Sequence, residues 1–171
     1  MKSIVLVLVV ALLAGCAGMI PAPVKEEDKT FSQVFESPGH SKDFLYEKVR
    51  IWMAQNFKSS KEVIEYENKL EGSIIGNGIT TYPCSGLECM IKIGWMVPFT
   101  MRVDVKDDKF RLTYSNLRVS WPASSDSLGF HAAGGGSMTQ QGEYDAIKPI
   151  LLSMGESIKS SVVTEVKTGK W

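Results

Sequence analysis

From Ile91 to Val105 every odd-numbered residue is apolar (Ile91, Ile93, Trp95, Val97, Phe99, Met101, Val103, Val105), and Lys92, Gly94, Met96, Pro98, Thr100, Arg102 and Asp104 alternate with them. A period of two marks a strand with one buried face. Pro98 has no N–H to give to a ladder, so the strand is expected to break there or to run partly along an edge. Beyond Asp107 and Asp108 the alternation resumes at Phe110, Leu112 and Tyr114. A hairpin turning on the two aspartates sets Val105 opposite Phe110, Val103 opposite Leu112 and Met101 opposite Tyr114. All six side chains then share one face, which specifies the register. The same register sets Asp104 opposite Arg111, a favourable cross-strand pair on the other face.

Elsewhere the period changes. Leu45, Val49, Trp52, Met53 and Phe57 recur at helical spacing, with Ser41 as a predicted N-cap and Asp43 in the first turn. Tyr144, Ile147, Leu151, Met154, Ile158 and Val162 trace a second helical stripe, in which Pro149 is expected to introduce a kink. Residues 31–36 read as a short first strand, and 63–67 and 73–82 as two more around the turn Asn68-Lys69-Leu70-Glu71-Gly72. The predicted class is α+β: an antiparallel sheet of about four to five strands, in β-α-β-β-β-β-α order, with the helices packed on one face. On that register the helices cover Ile93, Trp95, Phe99, Met101, Leu112 and Tyr114. Lys92, Gly94, Met96, Arg102, Arg111 and Thr113 point the other way and form the candidate binding face. Met is unusual on a wet strand face, and the two arginines suit an anionic or carboxylate-bearing partner, although Asp104 is expected to neutralise Arg111.

The first sixteen residues, MKSIVLVLVVALLAGC, break both patterns. Lys2 is followed by an unbroken apolar run and then by Leu13-Ala14-Gly15-Cys16. This resembles a bacterial lipoprotein signal closed by a lipobox, and the run is shorter than the roughly 20 apolar residues a transmembrane helix needs. The resemblance implies removal of residues 1–15 and lipidation of Cys16, which makes the membrane a partner through the N-terminal lipid. Ala17 is not the aspartate that retains many such proteins in the inner membrane, so the expected location is the outer membrane, facing the periplasm. Residues 16–30 then read as a lipidated N-terminus and tether, 31–121 as the α+β domain, 122–140 as a mobile loop rich in Gly and Ser, and 141–166 as a C-terminal helix. As a flexible coil, the tether would hold the domain on the order of 20 Å from the lipid.

Composition adds little field. The chain carries 19 Lys+Arg and 19 Asp+Glu, and removal of residues 1–15 takes away only Lys2 among them. Near neutrality gives no electrostatic pull towards nucleic acid.

The segments FESPGHSKDFLYEKVRIWMAQNF and VIEYENKLEGSIIGNG, followed by the long alternating strand, are similar to a bacterial family of unknown function described as having a TATA-binding-protein-like fold. The resemblance runs over residues 35–119, with Trp52 on the helix, Gly72 in the turn and Gly76 and Gly78 in a strand as its signatures. It implies a helix packed on an antiparallel sheet. It implies no DNA binding, because a shared fold does not carry function.

The two cysteines left after Cys16, Cys84 and Cys89, lie in TTYPCSGLEC. In an oxidising envelope a disulfide is favoured, with free thiols or a metal or redox pair as the alternatives. His40 and His131, the only histidines, lack ligand-like spacing to them, so no metal or cofactor is expected. Asp126, Ser127 and His131 do not make a triad in sequence that holds no geometry, and Gly134-Gly135-Gly136 lacks the Lys and hydroxyl of a phosphate loop and reads as a hinge. Glu65 and Glu67 alternate onto one solvated strand face. No catalytic residue is expected. The predicted function is a lipid-anchored, non-catalytic binding or scaffolding module meeting an envelope protein partner, and the alternative is an accessory subunit of an outer-membrane assembly complex.

Overall fold

In the computed structural model, which describes residues 21–57, 64–126 and 129–168, the strand that the alternation opens at Ile91 begins at Met96. The elements run β1 (Phe31–Glu36), α1 (Lys42–Asn56), β2 (Ile64–Asn68), β3 (Ser73–Thr81), α2 (Leu87–Ile91), β4 (Met96–Lys106), β5 (Lys109–Ser115) and β6 (Arg118–Trp121), then β7 (Ser124–Asp126), β8 (Gly129–His131), β9 (Gly134–Ser137) and α3 (Gln141–Thr168). The expected first residue of β2, Val63, lies outside the described residues.

The main sheet is antiparallel, in the order β1-β5-β4-β3-β2, and β6 and β9 extend it beside the upper part of β4. The β4–β5 register is the one the hydrophobic pattern predicts: Val105↔Phe110, Val103↔Leu112, Met101↔Tyr114 and Asp104↔Arg111. Its turn does more than join strands. Asp108 adopts φ 63° and accepts from Gly39 N at 2.7 Å, while Asp107 accepts from Lys42 N at 2.7 Å, so the hairpin tip holds the loop that starts α1. Ser41 caps that helix by accepting from Phe44 N.

Pro98 does not break β4. It stays paired with Ile79 of β3, while on the other side pairing passes from β5 (Thr100↔Ser115) to β6 (Met96↔Ser120). One extra residue is accommodated on the β5–β6 side, where Asn116 takes φ 53°, so the residue without an N–H sits beside a local irregularity of the ladder.

α1 and α3 cover the face that carries Ile74, Val97, Phe99, Met101, Val103, Phe110, Leu112 and Tyr114, all buried. The predicted stripe of α1 is buried throughout, joined by Tyr46. α3 continues through Pro149 and buries Tyr144, Ile147, Leu151, Ile158 and Val162, with Met154 partly buried. Buried and part-buried polar contacts help fix the helices: Tyr114 Oη donates to Leu151 O at 2.6 Å, and Trp52 Nε1 donates to Ser157 Oγ at 3.0 Å.

Two stretches expected to be loose carry pairing. Within 122–140, β7 and β8 form a hairpin, and Gly134-Gly135-Gly136 is no hinge but most of β9, paired to β6. Glycine is required there because a Cβ at Gly134 would fall 2.8 Å from the Trp121 indole, and one at Gly135 would fall 2.5 Å from Val119 O. Within the expected tether, Pro23 bridges Gln140, Val24 N donates to Thr139 O at 2.8 Å, Gln141 N donates to Ala22 O at 2.9 Å, and Val24 is buried. A 3₁₀ turn over Glu26–Lys29 then leads into β1.

Candidate functional site

The face of the sheet away from the helices is crossed by a charged row. Arg102 and Arg111 stand on adjacent strands on either side of Asp104, with Arg102 Nε donating to Oδ1 and Arg111 Nη2 to Oδ2, both at 2.9 Å. Partial burial alone would raise the Asp104 pKa. The hydrogen bonds from Arg111 and Arg102, with their charges, outweigh it and hold the carboxyl below its ordinary value. Both guanidiniums remain about half exposed. Val34 of β1, opposite Arg111, joins Asp104, Lys106, Lys109, Phe110 and Arg111 around a shallow depression of about 140 Å³. Thr113 lies between Ser32 and Arg102, and Met96 stands at the upper end of β4 between Thr81 and Ser120.

Lys92 and Gly94 are not on this face. Lys92 ends α2, and Gly94 has φ 75°, a left-handed conformation that excludes it from a strand. Ile91 and Ile93, whose parity matches the buried set, are 80% and 73% exposed. The Cys84–Cys89 disulfide just before them is present, with its Cα atoms 5.2 Å apart. Five extended residues would separate those atoms by about 17 Å, so a chain clipped in this way must fold back and cannot be a strand. Residues 91–93 lie beyond that ring: Ile91 closes α2, Lys92 follows it, and Gly94 at φ 75° turns the chain before β4. Glu65 and Glu67 are also separated, because a register shift between Ile64 and Tyr66 splits them: Glu67 pairs with Arg50 of α1, and Glu65 accepts from Asn77 of β3. His131 lies on β8, whereas Ser127 and the Asp126 side chain fall outside the described residues.

Behind the clip is a polar and aromatic cluster that the periodicity did not reveal. Lys92 Nζ donates to Glu88 Oε1 at 2.6 Å and to Tyr82 Oη at 2.9 Å, and Tyr82 Oη donates to Glu143 Oε1 of α3 at 3.2 Å. The ammonium lies 4.2 Å from the Tyr82 ring centroid and 5.1 Å from that of Trp95, which packs on Trp121 at 5.2 Å. Burial works against the Lys92 charge, but the hydrogen bonds to Glu88 and Tyr82 more than offset it and the pKa is raised. Burial, which favours the neutral phenol, raises the pKa of Tyr82. A groove of about 330 Å³ runs past this cluster, lined by Tyr82, Glu88, Lys92 and Glu143 and by Pro21 and Ala22 of the N-terminal segment.

One antiparallel sheet with the long helices packed on a face of it is the architecture of TBP-like domains. Two crystal structures share it: a TBP-like protein from Parabacteroides distasonis ATCC 8503 (TM-score 0.59, 12% identity, over 82% of this chain and 96% of that one) and a DUF4468 family protein from Bacteroides ovatus ATCC 8483 (TM-score 0.50, 14% identity, over 83% and 88%). At these identities the likeness is one of fold alone. The family model for a domain of unknown function (DUF4468) with TBP-like fold matches residues 31–120, and the chain belongs to that family. The match spans β1 to β6 and includes α2 and its disulfide. No curated protein matches the chain.

Proposed function

We propose that the protein is a lipid-anchored domain of the bacterial cell envelope, attached to the outer membrane through Cys16 and facing the periplasm, which acts by binding a protein partner and not by catalysis. The reading rests on the order of Lys2, the apolar run and Leu13-Ala14-Gly15 before Cys16. The observation that carries it further is the pairing of Ala22 and Val24 with Gln141 and Thr139. Only five residue steps separate Cys16 from Pro21, a reach of at most about 18 Å. The domain then cannot stray as far from the bilayer as a tether free to residue 30 would let it. The open sheet face, with Arg102 and Arg111 sharing Asp104, is the surface offered to the partner. Arginine in such a pair keeps further N–H groups that suit a carboxylate.

Intact mass of the protein extracted from envelopes tests the anchor. Diacylglycerol and an acyl chain on Cys16 are expected, with Cys16→Ala losing both together with outer-membrane fractionation. An unmodified Cys16 in the wild type overturns the reading. Purification from solubilised membranes tests binding: a protein partner is expected and should be lost on Arg102→Glu with Arg111→Glu, and a stoichiometric one would favour the accessory-subunit alternative.

A further inference from the structure

α2 is turned inside out. Leu87, Met90 and Ile91 stand at i, i+3 and i+4, so they share one face of the helix, and that face is exposed: Leu87 78%, Met90 70% and Ile91 80%, with Ile93 just beyond at 73%. On the other side of the turn Lys92 reaches in to Tyr82, whose hydroxyl donates to Glu143, while Glu88 pairs with Lys92 at the rim of the groove and stays 45% exposed. Single exposed apolar side chains are ordinary on a protein surface. Four within seven residues, on a turn tied by the disulfide and by the contact of Lys92 with Tyr82, are an arrangement that water disfavours.

We propose that this stapled tip is a second membrane contact, inserting Leu87, Met90, Ile91 and Ile93 into the headgroup and acyl boundary of the bilayer to which Cys16 is attached. The inference rests on the reading of Cys16 as the lipid anchor. Two observations select lipid as the occupant. The first is where the chain leaves the domain: Pro21 and Ala22 line the same groove as Glu88 and Lys92, so the short link to Cys16 departs beside α2 and brings this corner to the membrane. The second is charge. Between Cys84 and Ile93 the only ionisable side chains are Glu88 and Lys92, and they neutralise each other at 2.6 Å, so the tip enters the interface without stripping water from a lone ion. Acyl chains alone hold the protein on the membrane but leave it free to swivel. A second, apolar contact fixes its orientation.

The test uses the full chain, reconstituted into vesicles of phosphatidylethanolamine and phosphatidylglycerol that carry a phospholipid with a diazirine in its acyl chain. After photolysis, lipid adducts are expected on the peptide containing residues 84–93. Leu87→Gln combined with Ile91→Gln should lower them about tenfold or more, at unchanged melting temperature because neither side chain is packed. Adducts on peptides bearing Arg102 and Arg111 in place of this one, or none at the tip, overturn the proposal. Crosslinks between the tips of two copies without lipid adducts also overturn it, in favour of self-association. Intact mass reads the anchor separately. An acylated Cys16 with an unlabelled tip defeats the tip alone, a bare Cys16 with a labelled tip defeats the anchor alone, and a bare Cys16 with an unlabelled tip defeats both.

Discussion

Gly155 of α3 lies against the ring of Phe35 on β1 with no room between them for a methyl group, since a Cβ on the glycine would overlap Cζ, Cε1 and Cε2 of the ring. Phe35 is itself held by stacking on Phe110 at 5.3 Å. The glycine therefore sets how closely the C-terminal helix approaches the edge strand. Alanine there gains up to about 1 kcal/mol in helix propensity but overpacks the contact by about 1–3 kcal/mol. Gly155→Ala is expected to be less stable by about 1–2 kcal/mol, read as a lower urea midpoint at unchanged slope.

The disulfide stabilises a small ring. Loss-of-bridge variants, Cys84→Ser with Cys89→Ser, should lose about 2 kcal/mol if the whole domain unfolds as one unit. Hydrogen exchange should quicken over residues 84–93 and stay slow in β4 and β5. Peptide mapping without reduction should give the joined pair, and alkylation of both thiols in unreduced protein would contradict it.

Asp104 links the two arginines of the open face, so its folded-state pKa lies below the ordinary 3.8. Its contribution is fully present above that value and is lost as pH falls through the folded pKa. Asp104→Asn should cost about 0.5–1 kcal/mol near neutral pH, a modest figure because both guanidiniums are half exposed. Acid titration of urea stability should bring the wild type and the variant together below 3.8.

Tyr114 is fully buried and donates to Leu151 O at 2.6 Å, so Tyr114→Phe should cost about 1 kcal/mol. Burial pushes its pKa well above 10.0. The stability tied to the protonated ring is therefore complete below that value and declines as pH rises towards the folded pKa. The phenylalanine variant should show a shallower alkaline loss of stability, measured by denaturant unfolding across that range.

The α+β architecture, the β4–β5 register with its Asp104–Arg111 pair, the capped α1 and the stripe of α3 could all be read along the chain, because each depends on a period or on residues close in sequence. A period states which way a side chain points within an element, provided the element exists. It cannot say where the element ends: Ile91 and Ile93 continue the alternation of β4 by coincidence of parity, while Ile91 belongs to α2 and Gly94 turns the chain before β4, so the same residues face solvent. A one-residue bulge likewise separated Glu65 from Glu67. The pairing of β1 with β5, of β9 with β6 and of Val24 with Thr139 joins segments far apart in the chain. No local pattern encodes these contacts, because they depend on backbone groups that any residue carries and on the room left by glycines such as Gly134 and Gly155. Lys92 meets Tyr82, and through it Glu143 of α3, only once these elements are assembled. It is this assembly in three dimensions, and no run of residues, that leaves Leu87, Met90, Ile91 and Ile93 facing outward.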